Sequence, residues 1–224
     1  NFEKTKQVNK LIKYCVGNGI DKIDTAIAYK NSEKIIGNNN EKFSKIITKI
    51  PRLNLKDKNL KKKIFLLFKK SIQNLKVDKV YCLMLHEPRQ LLSDKGSIIF
   101  SALQSLKKEK KIKKIGISVY EPDTLKQIIN KFKIDLVQFP CNYLNKQFLE
   151  KNLINKLKVL KIEIHVRSIF LKGILTGNEV LRKKDYFKKW VKLFNNLDYF
   201  NKKNKVSNVE SCLSFVANKK FISG

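Results

Sequence analysis

Asp24 in Ile-Asp-Thr-Ala, Tyr29, Lys49 in Ile-Ile-Thr-Lys-Ile-Pro and His86 in Leu-Met-Leu-His-Glu-Pro are all proton-exchanging residue types. Asp24, Lys49 and His86 stand near the ends of three successive segments with strand character, and Tyr29 follows Asp24 by five residues on a loop. A free Tyr has a pKa of about 10 and is a poor acid at neutral pH. A nearby ammonium stabilises the phenolate and lowers that pKa. Asp24 can pair with Lys49, keep it charged and fix its direction, and His86 can hold a carbonyl oxygen by a hydrogen bond. Such a set can protonate an oxygen as negative charge develops on it, which carbonyl reduction requires. The hydride must come from a cofactor, since no side chain donates one. Singly, each residue has an ordinary reading: a helix cap, a packed ring, one solvated Lys among many, a structural His. Their joint order and placement point to chemistry.

The elements that must carry these residues alternate helix and strand. Val8, Leu11, Ile12, Cys15 and Val16 share one helical face, ended by Gly17 and Gly19. A strand spans Asp21 to Thr25, a short helix runs from Ser32 to Ile36 and closes at Gly37, and Ser44 to Ile50 is a strand stopped by Pro51. Leu60, Ile64, Leu67, Phe68 and Leu75 mark a long amphipathic helix. Lys79 to His86 is nearly continuous apolar sequence, as buried parallel strands are. Further helices carry Ile99, Leu103 and Leu106, then Leu125, Ile128, Ile129 and Phe132, then Phe148 to Leu160. Between and after them come strands at Ile115 to Val119, Leu136 to Phe139 and Ile162 to Phe170. Leu171 to Tyr186 reads as a long loop, and Trp190, Phe194, Leu197 and Phe200 as a helix. Ser207 and Glu210 form a capping box that opens a last helix through Val209, Leu213 and Val216. Phe221 to Gly224 looks like a strand cut short. Six complete strands and the start of a seventh indicate an α/β fold in one domain over residues 1–224. A doubly wound sheet usually shows a Gly-rich phosphate loop after its first strand, and neither GxGxxG nor GxxxxGK[ST] occurs. A (β/α)8 barrel, whose chemistry sits at the C-terminal ends of its strands, fits better. Neighbouring strands lie roughly 4.8 Å apart, so Asp24, Lys49 and His86 can converge at one rim.

The 49 basic and 19 acidic residues give a net charge of +30. Such a charge suggests nucleic acid or an anionic surface. Only Arg52, Arg89, Arg167 and Arg182 are Arg, however, and the lysines are spread over every expected helix. They read as solvated helix faces, so no specific nucleic-acid partner is expected. No apolar run reaches the roughly 18 residues of a membrane helix, and no signal peptide is seen; a cytoplasmic protein is expected. Cys15, Cys82, Cys141 and Cys212 lie in apolar stretches without a CxxC pair and read as buried free thiols, not metal ligands.

Residues 19 to 37, Gly-Ile-Asp-Lys-Ile-Asp-Thr-Ala-Ile-Ala-Tyr-Lys-Asn-Ser-Glu-Lys-Ile-Ile-Gly, resemble the first signature of the aldo-keto reductase family. Thr-Lys-Ile-Pro at 48–51, Leu-His-Glu-Pro at 85–88, Gly-Ile-Ser-Val-Tyr at 116–120 and Val-Gln-Phe-Pro-Cys-Asn at 137–142 resemble later ones. The resemblance covers nearly the whole chain. It implies a (β/α)8 barrel that reduces an aldehyde, ketone or sugar carbonyl with a nicotinamide cofactor, NADP(H) ahead of NAD(H). Tyr29 would be the general acid, Lys49 and Asp24 its tuners, and His86 the guide for the substrate. Asp24, Thr25, Ser118, Gln138, Arg167 and Ser168 would touch the cofactor, Ser118 and Gln138 at the nicotinamide carboxamide.

Three positions depart from the pattern. Lys30 follows Tyr29 where Gly is common, Val119 replaces an Asn, and Arg167 stands where many members stack a Tyr. The run Val-Arg-Ser-Ile-Phe-Leu-Lys-Gly at 166–173 resembles a bacterial branch with that Arg, whose plane can stack on the ring or reach a phosphate. The resemblance also implies a strand before the first helix, and an eighth strand and a final helix beyond Phe221–Gly224. Strand 1, most of strand 8 and the last helix are thus expected to be missing, the chain being a fragment with two exposed strand edges. The segment after strand 8 would grip the adenosine 2′-phosphate. The alternative function is a cofactor-binding barrel without turnover. Lys172, Arg182, Lys183 and Lys184 in the 171–186 loop raise an anionic or nucleotide-linked sugar as substrate.

Overall fold

The computed structural model describes residues 2–39 and 41–224. The chain divides into two compact units, one of residues up to 119 with 123–137, the other of residues 120–122 and 138–224. The first unit holds α1 (Phe2–Gly17), β1 (Lys22–Asp24), α2 (Ser32–Gly37), β2 (Lys45–Ile50), α3 (Leu60–Leu75), β3 (Val80–Leu85), α4 (Gly96–Lys108), β4 (Ile112–Ser118), most of α5 (Pro122–Lys131) and the start of β5 (Leu136–Pro140). The second holds the end of β5, α6 (Lys151–Val159), β6 (Glu163–Arg167), α7 (Glu179–Arg182), α8 (Val191–Lys203) and α9 (Asn208–Ala217). Strand neighbours follow chain order, and the pairings from β1 to β4 are parallel. This is the βαβ arrangement read from the alternating periodicities, with six strands overlapping the six expected segments.

In the first unit, strand alternation sorts side chains onto two faces. Ile47, Cys82, Met84 and Leu136 form one apolar cluster, and Lys49 shares the face of Ile47. Gly116 lies on the same layer because a Cβ there would stand 2.6 Å from Cys82 Sγ and 2.8 Å from the Met84 side chain. The opposite face is covered by helices whose apolar stripes are buried: Ile64, Phe68 and Leu75 of α3, and Ile99, Leu103 and Leu106 of α4. Gly37 closes α2 for a steric reason. Its αR successor Asn38 needs no left-handed residue, but a Cβ on Gly37 would lie 2.1 Å from the Asn74 carbonyl oxygen.

The structure departs from expectation in several places. β4 begins at Ile112, not Ile115, because Val80 pairs with Ile112 and Cys82 with Lys114; Lys113 and Lys114 hide the strand pattern. β6 stops at Arg167 because Ser168 turns left-handed (φ 59°). The expected loop at 171–186 is largely short helix, with 3-10 turns at Leu171–Thr176 and Asp185–Trp190 flanking α7. Asn178 caps α7 by accepting from the Leu181 N–H at 3.1 Å, and Ile174 and Leu175 are buried in the second unit's core. Cys15 is half-buried, while Cys82, Cys141 and Cys212 are buried; burial pushes the thiols of Cys141 and Cys212 up.

Residues 221–224 are not a regular strand, although Ser223 donates to the Ile164 carbonyl at 2.8 Å and Val166 to the Gly224 carbonyl at 2.7 Å. The capping box forms in both directions, Glu210 N–H to Ser207 Oγ at 3.1 Å and Ser207 N–H to Glu210 Oε2 at 2.7 Å. The bonds from Ser207 hold the Glu210 carboxyl below its ordinary range. Among the described residues no helix is long and apolar enough to cross a membrane.

Candidate active site

The first unit brings Asp24, Tyr29, Lys49 and His86 together. Asp24 ends β1, Lys49 lies one residue before the end of β2, and His86 follows β3 directly. Parallel pairing aligns these ends: Asp24 is opposite Ile47, and Lys49 opposite Met84. The His86 N–H extends the ladder by donating to the Ile50 carbonyl at 2.9 Å. Lys49 is 1% exposed, a rare state for a Lys without compensation. Its Nζ donates to Asp24 Oδ1 at 2.5 Å and to the Thr25 carbonyl at 3.0 Å. The same Nζ lies 5.4 Å from the Tyr29 ring centroid, and the Tyr29 and His86 rings meet edge to face at 5.7 Å. Tyr29 itself is 44% exposed.

Buried polar side chains hold this set in place. Glu33 of α2 is 3% exposed and accepts hydrogen bonds from Thr48 Oγ1 at 2.7 Å, from Asn74 Nδ2 at 3.2 Å and from Ser71 Oγ. It thereby ties α2 and α3 to the residue preceding Lys49. Thr25 is fully buried; its N–H donates to the Ile47 carbonyl and its hydroxyl to Ser32 Oγ at 2.9 Å. Lys30, which stands where Gly is common, adopts φ 46°. The turn after Tyr29 therefore keeps the left-handed form that Gly would take without strain.

The other expected site residues lie as follows. Ser118 ends β4 and is buried. In the second unit Gln138 is buried within β5, and Arg167 ends β6 with its guanidinium 4.0 Å from the Tyr120 ring centroid. The Ser168 carbonyl accepts from Asn142 Nδ2 at 3.1 Å, while Asn142 Oδ1 accepts from the N–H groups of Leu144 and Asn145. Ser168 lines a cavity of about 410 Å³ with Asn142, Leu171, Lys172 and Trp190. Glu33 and Asn142 were assigned no role from sequence, although both fall within the quoted signatures. Among the described residues no cluster of His, Cys, Asp and Glu could hold a metal.

The sequence profile of the aldo/keto reductase family matches residues 2–223. The chain belongs to the aldo/keto reductase family. Its similarity to the glyoxal reductase of Bacillus subtilis (strain 168) is 26% identity over 180 residues, or 80% of this chain and 64% of that protein. The chain thus spans less than two thirds of that relative's length. Among solved structures, the glycerol dehydrogenase of Gluconobacter oxydans superposes with a TM-score of 0.75 at 20% identity, over 96% of this chain and 73% of that one. The holo form of an aldo-keto reductase of Bacillus halodurans gives 0.66 at 19% identity, over 78% and 61% of the respective chains. These two likenesses establish the fold. In aldo/keto reductase terms, the expected signature residues Asp24, Tyr29, Lys49 and His86 occupy one rim of a parallel sheet whose six strands are consistent with a (β/α)8 barrel.

Proposed function

We propose that this aldo/keto reductase is an enzyme that reduces an aldehyde, ketone or sugar carbonyl, with Tyr29 as the proton donor. The observation that carries the reading is the buried Lys49 ammonium, fixed on Asp24 at 2.5 Å and 5.4 Å from the Tyr29 ring centroid. A fixed cation there stabilises the charge left on Tyr29 once its proton has gone to the substrate oxygen. Asp24 prevents Lys49 from turning away, and the Thr25 carbonyl fixes its height. In this reading His86, whose ring meets that of Tyr29 edge to face at 5.7 Å, holds the carbonyl oxygen and aims it at the phenol. We assign the strands to a (β/α)8 barrel and residues 1–224 to one domain.

The family's nicotinamide cofactor supplies the hydride when bound. The resemblance assigns residues of suitable chemical type to such a group. Ser118 offers a buried hydroxyl and Gln138 a buried amide, the donor and acceptor types a carboxamide needs. Arg167 already lies against an aromatic ring, Tyr120, as it would against a planar heterocycle. Thr25, Ser168 and Asp24 complete the assignment, and NADP(H) is placed ahead of NAD(H). The direct check is NADPH consumption by the purified protein with a panel of aldehydes and ketones. We expect consumption matched mole for mole by alcohol formed. No consumption with any carbonyl would leave a cofactor-binding protein without turnover.

A further inference from the structure

We infer that a basic cleft beside this rim binds an anionic group, carboxylate or phosphate, carried by the carbonyl substrate; the inference rests on the proposed reductase reading. The cleft, about 790 Å³, opens between the segment after β2 and the 3-10 turn after β3 (Pro88–Leu92). Arg52, Lys56 and Arg89 line it with one carboxylate, Glu87, so these four side chains sum to two positive charges (three less one). Among the described residues Arg52 is exposed and has no ion-pair partner.

The use of Arg is informative in this chain. Of 49 basic residues only four are Arg. Arg182 is committed to Asp198 Oδ2 at 2.5 Å and to the Ile174 carbonyl at 2.9 Å, and Arg167 stacks on Tyr120. Arg52 and Arg89 both line this one cleft, whatever else Arg89 contacts. A guanidinium matches a carboxylate or phosphate with two parallel N–H bonds, which an ammonium cannot do.

The cleft is also built, not a chance surface of lysines. The Gln90 side chain, 8% exposed, donates to the Leu53 carbonyl at 2.7 Å and accepts from the Leu53 N–H at 2.8 Å. This two-way bond fixes the residue next to Arg52 onto the wall that carries Arg89. The cleft's two walls follow in sequence directly from the segments that carry Lys49 and His86. Arg52 is three residues beyond Lys49, a reach of at most about 10 Å, and Glu87 follows His86. A para-substituted benzaldehyde sets its anion one ring's length from its carbonyl. Of the four basic residues of the 171–186 loop that raised an anionic substrate from sequence, Lys172, Arg182, Lys183 and Lys184, Arg182 is tied to Asp198 within its own unit.

The test uses the purified protein, NADPH and three aldehydes: benzaldehyde, 4-carboxybenzaldehyde and 4-formylphenyl phosphate. Arg52→Gln is expected to lower kcat/KM for the charged aldehydes about tenfold, through KM, and to leave benzaldehyde unchanged. The larger loss identifies carboxylate or phosphate as the preferred anion. Lys56→Gln, a second exposed position, should show the same selectivity more weakly. Equal effects on all three aldehydes would overturn the site. Calorimetry gives a readout without turnover: 4-carboxybenzyl alcohol should bind more tightly than benzyl alcohol, and Arg52→Gln should weaken only the former. Equal binding of the two alcohols would likewise overturn it. If calorimetry shows the preference but no aldehyde is reduced, the anion site stands and the reductase reading falls.

Discussion

Lys49 is the residue on which the site turns. An ammonium that is 1% exposed is made tolerable by groups that replace its water, here a carboxylate and a carbonyl among them. Asp24 is itself 37% exposed, so solvent softens the loss of its charge. Asp24→Asn should therefore destabilise the fold by about 2–4 kcal/mol, below the full cost of orphaning a buried pair, in urea unfolding. A change under half a kilocalorie would show that Lys49 does not depend on Asp24. These residues were legible because each ends an apolar run and differs in type from it. Glu33 was not, since Ser-Glu-Lys reads as the exposed first turn of a helix. Its burial is decided by Ser71 and Asn74, 38 and 41 residues away.

At the scale of elements, periodicity located every strand and most helices, because one buried face per element leaves a repeat in the sequence. It failed where tertiary contacts, not periodicity, make the structure. The 171–186 segment folds into short helices since Asn178 caps one of them and Arg182 ties it to Asp198 on α8. A second element-scale feature is the approach of α2 to the end of α3 at Gly37. Gly37→Ala would force apart backbone that a Cβ would meet at 2.1 Å. It should cost about 1–3 kcal/mol of stability and, by shifting Glu33 and Thr48, lower turnover as well. Wild-type unfolding behaviour in that variant would mean α2 can move without cost.

For the whole molecule, the ordered set of strand-end residues pointed to the family whose profile the chain matches. Lysines on solvated helices add charge without specifying a partner, whereas Asp24, Tyr29, Lys49 and His86 converge only if the strands are parallel and sequential. That topology is present, and family membership agrees with it. The division into two units was not legible, because no Pro/Gly/Ser-rich linker marks it. The central claim is that Tyr29 delivers the proton, and the most direct measurement is kcat for Tyr29→Phe with NADPH and an aldehyde that the wild type reduces. This substitution removes one hydroxyl and keeps the ring that meets His86. With circular dichroism and NADPH binding unchanged, kcat is expected to fall by about 10²-fold or more. A kcat within twofold of wild type would contradict the assignment of Tyr29 as the acid.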